Sequence, residues 1–164
     1  MNVTRFEDLQ CWQEARELTR QLYEAINQNP AWNKNMLLCG QIQSASGSVM
    51  ANIAEGFACR SGEEFAQFLF IALSAAAELQ SHLHIAADQG YLPKEAFDAI
   101  YSQADRTIRV ISGLIKYLRT QEPSPSHRNR RDRRYRSNQR DRRDPHNRRT
   151  NSCPLVCPQN EVPS

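Results

Sequence analysis

Residues 51–65, ANIAEGFACRSGEEF, gather Asn52, Glu55, Arg60, Glu63 and Glu64 in an otherwise apolar neighbourhood. Carboxylates and an amide this close could do acid–base work or hold a metal, provided that they converge. Asn52 and Glu55 are three residues apart and share a helix face. A buried carboxylate is costly unless paired, and Arg60 is the nearest cation by sequence. The favoured reading is a helix-end network that braces a turn, so Asn52, Glu55, Gly56, Arg60, Ser61 and Glu64 form a structural signature, and no residue is assigned a catalytic role. An enzyme acting through Glu55 has no identifiable second catalytic partner.

Other chemistries lack their residues as well. A di-metal carboxylate bundle needs Glu-x-x-His on two helices, whereas Glu78 and His82 are four apart, without a second copy, and His84 lies on the other side of the same helix. Cys11, Cys39 and Cys59 sit in or beside helical pattern without a neighbouring base or oxyanion loop, so they read as buried thiols. Cys153 and Cys157 with His146 offer only a C-x3-C spacing, a weak zinc signal. A Gly-rich phosphate loop is missing too. Neither a metal nor a cofactor is expected.

The elements that must position these residues are helices. Leu9, Trp12, Ala15, Leu18, Leu22 and Ile26 make one apolar stripe, opened by Thr4 and Glu7 in capping-box spacing and broken at Asn29-Pro30. After a polar connection through Asn33 and Asn35, Leu38, Ile42, Ala45, Val49 and Ile53 make a second stripe, ending near Gly56. Ser61 and Glu64 form another capping box, and a third helix follows through Phe65, Phe68, Ala72, Ala76, Leu79 and Leu83 to Gly90. Pro93 starts a fourth, carrying Phe97, Ile100, Ala104, Ile108, Ile111, Ile115 and Leu118. Short connections make sequential helices antiparallel neighbours, so the expected fold is all-α, an antiparallel up-down-up-down four-helix bundle over residues 1–121. The third helix is apolar nearly all round, more than one bundle can bury, and part of the first adds to this excess; both imply a homo-oligomer.

Residues 1–121 hold 10 Lys and Arg against 13 Asp and Glu, whereas 122–164 hold 11 against 5. The second segment is almost devoid of apolar side chains and reads as a disordered, Arg-rich C-terminal tail. Its Arg128, Arg130, Arg131, Arg133, Arg134 and Arg136 suit phosphate contact. On the bundle, Arg16 and Arg20 of the first helix and Arg106, Arg109, Lys116 and Arg119 of the fourth are further nucleic-acid-binding candidates, interrupted by Glu14, Glu17 and Asp105. The odd set of five cysteines, lacking disulfide spacing, fits a cytoplasmic setting. No apolar run approaches a membrane span, and no signal region opens the chain.

FEDLQCWQEARELTRQLY, Gln41 and then NIAEGFACRSGEEFAQFLFIALSAAAELQSHLHIAADQGYL resemble the four-helix-bundle family linked to intervening sequences in bacterial 23S ribosomal RNA genes. Its N-I-A-E-G, S-x-x-E-F and E-L-x-x-x-L-x-I-A signatures stand at 52–56, 61–65 and 78–86. A relative of that family is the accessory variability protein of diversity-generating retroelements. This resemblance implies a homopentameric barrel that binds RNA or DNA and assists a reverse transcriptase, without enzymatic activity. The alternative is a protein-interaction scaffold with no nucleic-acid contact.

Overall fold

A computed structural model describes residues 3–121. Cys11, Ala15, Leu18, Leu22 and Ile26, three or four residues apart, are all buried along α1 (Gln10–Gln28). The helix starts later than its expected capping box. Phe6–Asp8 form a turn of 3-10 helix, Arg5 Nη2 donates to Glu7 at 2.7 Å, and no side chain caps the turn or α1. Phe6 meets Trp12 edge-on, with ring centroids 5.2 Å apart. Buried Leu9 links the turn to the helix, so apolar contact takes the place of a polar cap.

Between α1 and the next long helix lies a five-residue helix, α2 (Pro30–Lys34), where the sequence suggests only a polar connection. Asparagines create it. Asn29 Oδ1 accepts the N–H groups of Ala31 and Trp32, Pro30 occupies the first turn, and Asn35 Oδ1 accepts from Leu38 to open α3 (Met36–Ala58). These bonds satisfy donors that a helix start leaves orphaned. Asn29 Nδ2 also donates to the Tyr91 carbonyl at 2.8 Å, tying α2 to the turn at the far end of the chain's fourth helix.

Ser61 Oγ accepts the Glu64 N–H at 3.1 Å and starts α4 (Gly62–Asp88). That helix ends on Gly90, whose φ of +71° allows Tyr91 and Gly90 N–H groups to reach the Ala86 and Ala87 carbonyls. The last helix, α5 (Lys94–Gln121), begins one residue after Pro93, whose carbonyl accepts from Phe97.

The described residues are all-helical, five helices packed together. α1 lies against α3 and α5, and α4 against the same two. One core cluster joins Leu22, Trp32, Ile42, Leu83 and Ile100, and the other joins Ala15, Ile53, Leu69 and Ile111. Each cluster therefore takes opposite ends of successive long helices, as antiparallel packing requires. α4 has 27 residues, and its most apolar window reaches a mean hydropathy of 1.2, but its Leu69, Ala72, Ala76, Leu79 and Leu83 are core residues of this bundle.

Candidate nucleic-acid interface and the signature corner

The polar residues of the corner do not converge. Asn52, half-buried, donates Nδ2 to the Ser48 carbonyl at 2.8 Å and to Ser48 Oγ at 3.1 Å, within its own helix. Glu55 and Arg60 are exposed and form no ion pair with each other, so the brace expected of Asn52, Glu55 and Arg60 is absent. A helix end in open water has no need of one. Packing holds this corner instead: a Cβ on Gly56 would lie 2.6 Å from Phe65 Cδ2 and 2.8 Å from Phe68 Cβ, and Phe57 meets Phe65 edge-on. Ser61 and Glu64 supply the cap.

The thiols lie apart from one another. Burial pushes the Cys11 thiol up to about 11 and raises that of Cys39, which donates to the Trp32 carbonyl at 3.0 Å. His82 Nε2 is 3.6 Å from Glu78, while the His84 ring packs at a tilt against Phe97 and edge-on against Tyr101 of α5. Among the described residues no three His, Cys, Asp or Glu side chains come together as metal ligands. His146, Cys153 and Cys157 lie outside the described residues.

Basic candidates divide by partner. Arg20 is clamped between Glu17, at 2.6 Å, and Glu24, and Arg106 reaches Glu14 at 3.0 Å. Arg16 stacks over Trp12 and Arg119 over Phe70, the latter 4.9 Å from the ring centroid. Arg109 and Lys116 are exposed and form no ion pair among the described residues. Thus four of the six candidate cations on the bundle, Arg16, Arg109, Lys116 and Arg119, remain open to an anionic partner. Glu14 is the acid that sequence spacing left unresolved: Gln103 donates to it at 2.9 Å, which holds it over α5 to face Arg106. Arg128, Arg130, Arg131, Arg133, Arg134 and Arg136 lie outside the described residues.

Hydrogen bonds from Arg20 and Gln21 hold the Glu17 carboxyl at about 2, against an ordinary 4.5. A depressed carboxyl contributes its pairing fully above the ordinary value and loses it as pH falls toward the folded one. An NMR titration of the Glu17 side chain therefore shows its midpoint well below those of free glutamates, and Arg20 released only near pH 2; a midpoint at 4.5 would show the clamp to be open in solution.

Cations are segregated as well as exposed. α3 and α4 contain no Lys or Arg, and no charged residue of either sign occurs from Met36 to Ala54 or from Phe65 to Ala77. Their outward face carries Leu37, Ile71 and Ile85, which are 77%, 50% and 45% exposed. The sequence pattern places part of this excess on α1, but the apolar stripe of that helix is buried within the chain, with Tyr23 its only large exposed hydrophobic residue.

The family profile described as 23S rRNA-intervening sequence protein matches residues 7–113. A crystal structure of a protein of unknown function from the S23 ribosomal protein family of Bacteroides thetaiotaomicron VPI-5482 is similar in fold, with a TM-score of 0.58 and 22% identity over 65% of this chain and 98% of that one. No curated protein matches the chain.

Proposed function

Since the chain belongs to the 23S rRNA-intervening sequence protein family, we propose that it is a non-enzymatic, homo-oligomeric accessory protein that binds RNA or DNA. The observation that carries this reading is the distribution of charge: Arg16 of α1 and Arg109, Lys116 and Arg119 of α5 are open, whereas α3 and α4 hold no Lys or Arg and no charge of either sign from Met36 to Ala54 or from Phe65 to Ala77. Uncharged surface rich in small and apolar side chains is the kind that self-association buries. Exposed, unpaired cations suit phosphate contact. The signatures at 52–56, 61–65 and 78–86 are those of the intervening-sequence family, and through the resemblance of that family to accessory variability proteins of diversity-generating retroelements the proposal extends to a pentameric up-down-up-down barrel and a reverse transcriptase as protein partner. The free thiols of Cys11, Cys39 and Cys59 suit a cytoplasmic setting.

Assembly and binding are tested separately. Sedimentation at micromolar concentration is expected to return a species of several chains, and Leu37→Glu with Ile71→Glu is expected to return a folded monomer, because a charge buried at an interface without a partner costs several kcal/mol. Both side chains are exposed in the single chain, so helicity is retained. A monomeric parent protein overturns the ring. For binding, the full chain at low salt is expected to retain RNA or single-stranded DNA and to release it steeply as salt rises. A second reading, the scaffold without nucleic-acid contact, is favoured by the neutralisation of Arg20 and Arg106 by Glu17, Glu24 and Glu14. It stands if nucleic acid is not retained at any salt concentration.

A further inference from the structure

Between α4 and α5, an open hollow of about 330 Å³ has a floor of Phe70, Leu73 and Ile115 and a rim formed by Lys116 and Arg119. A second hollow of about 240 Å³ adjoins it, sharing Phe70 and Arg119 and adding the amide of Gln67 and the carboxylate of Glu63. Phe70 is 42% exposed, although it is large and aromatic, and the guanidinium of Arg119 covers part of its ring. Successive residues on a helix point about 100° apart, so Phe70 turns toward α5 while Ile71 belongs to the uncharged face toward α3. The hollow is therefore separate from the surface assigned to self-association.

We infer that this hollow takes one unpaired nucleotide of a single-stranded nucleic acid, with its base on Phe70 and its phosphate between Lys116 and Arg119. The inference rests on the nucleic-acid reading above and names its contact point. Three features select this occupant. The rim cations call for an anion; Lys116 and Arg119 have no ion pair among the described residues, and the Arg119 guanidinium lies over the ring. An aromatic floor with a planar guanidinium on it is a surface for π-faces, and a base can take the place of the guanidinium, which is then free to fork onto a phosphate. In a duplex the base faces are stacked inside and present no π-face to such a floor, whereas an unpaired base does.

The test uses the full chain and a labelled 20-nucleotide oligouridine, with a duplex RNA of the same length as comparison. Phe70→Leu keeps an apolar side chain but removes the ring. It is expected to weaken single-strand binding about tenfold or more, to leave the slope of affinity against salt unchanged, and to leave duplex binding within about twofold. Lys116→Gln is expected to lower the single-strand salt slope by about 0.7. Lys94→Gln, at the opposite end of α5, changes neither. Wild-type single-strand affinity in a helical Phe70→Leu protein overturns the hollow as a nucleotide site while the nucleic-acid reading survives. Equal losses for single strand and duplex, accompanied by a lower melting temperature, also overturn it, because the ring would then be structural. Retention of neither nucleic acid by the unaltered chain defeats both readings.

Discussion

Trp32→Ala lowers the stability of the chain by about 3–5 kcal/mol, which for a domain of this size is a drop of about 10–20 °C in melting temperature. The indole is fully buried in the core cluster that joins α1, α3, α4 and α5, at the end where α2 closes the bundle. A five-residue helix cannot hold itself together in water. Asn29 and Asn35 cap and follow it, Asn29 ties it to Tyr91, and Trp32 supplies its one buried side chain. Removal of that side chain leaves a void as well as lost apolar contact, and the capping bonds have nothing left to fasten. Trp32→Phe costs less, because the indole N–H has no acceptor among the described residues and no hydrogen bond is lost with it. Thermal melting followed by circular dichroism distinguishes the outcomes, and a fall of under about 4 °C for Trp32→Ala would show that α2 contributes little. Its function would suffer too, since α2 leads directly into Met36 and Leu37 at one end of the surface proposed for self-association.

This region also marks where the sequence is hardest to read. Long helices announce themselves, because a stripe such as Leu18, Leu22 and Ile26 repeats often enough to stand out, and punctuation by Ser61 and Gly90 works through local backbone bonds that need no distant partner. α2 repeats nothing. Its asparagines look like loop formers, and although their capping bonds are local, a single turn of helix also needs the tie from Asn29 to Tyr91, 62 residues beyond, and the burial of Trp32 to persist. The Thr4–Glu7 pair misleads for the converse reason: the spacing is present, but Arg5 engages Glu7, and Leu9 and Phe6 are drawn into apolar contact. At the candidate interface, the identity of the cations is visible in the sequence and their freedom is not. Arg20 pairs within three and four residues, which spacing can suggest, whereas Arg106 is met by Glu14 across α1 and α5, a contact set by packing alone. The signature corner misleads through residue type, since Glu55 and Arg60 attract notice by their charge while the residue that fixes the corner, Gly56, carries no side chain.

Gly56→Ala is expected to destabilise the chain by about 1–3 kcal/mol, although alanine inside a helix is ordinarily better than glycine by about 0.5–1 kcal/mol. The reversal of sign is the test of the corner. The new methyl would fall 2.8 Å from Phe68 Cβ, an atom fixed to the α4 backbone, and 2.6 Å from the Phe65 ring, which Phe57 meets edge-on. The Phe65 ring can rotate, but Phe68 Cβ cannot give way without moving α4. Gly47→Ala provides the contrast, because no atom lies within 4 Å of its added methyl; this single chain gains stability, and if the α3 face is buried between copies, assembly weakens at the same time. The effect of Gly56→Ala should extend to assembly by a different route. Close approach of α3 and α4 at Gly56 fixes their register, and about 19 residues back along α3, with about as many forward along α4, the ~1.5 Å rise of each helix brings Leu37 level with Ile85. A corner forced open shifts these exposed side chains relative to each other, so the variant loses self-association even at temperatures where its helicity persists. Melting curves and sedimentation of the same sample check both parts, and a Gly56→Ala protein that melts at or above the parent temperature and remains assembled would mean that the corner does not set the packing of α3 on α4.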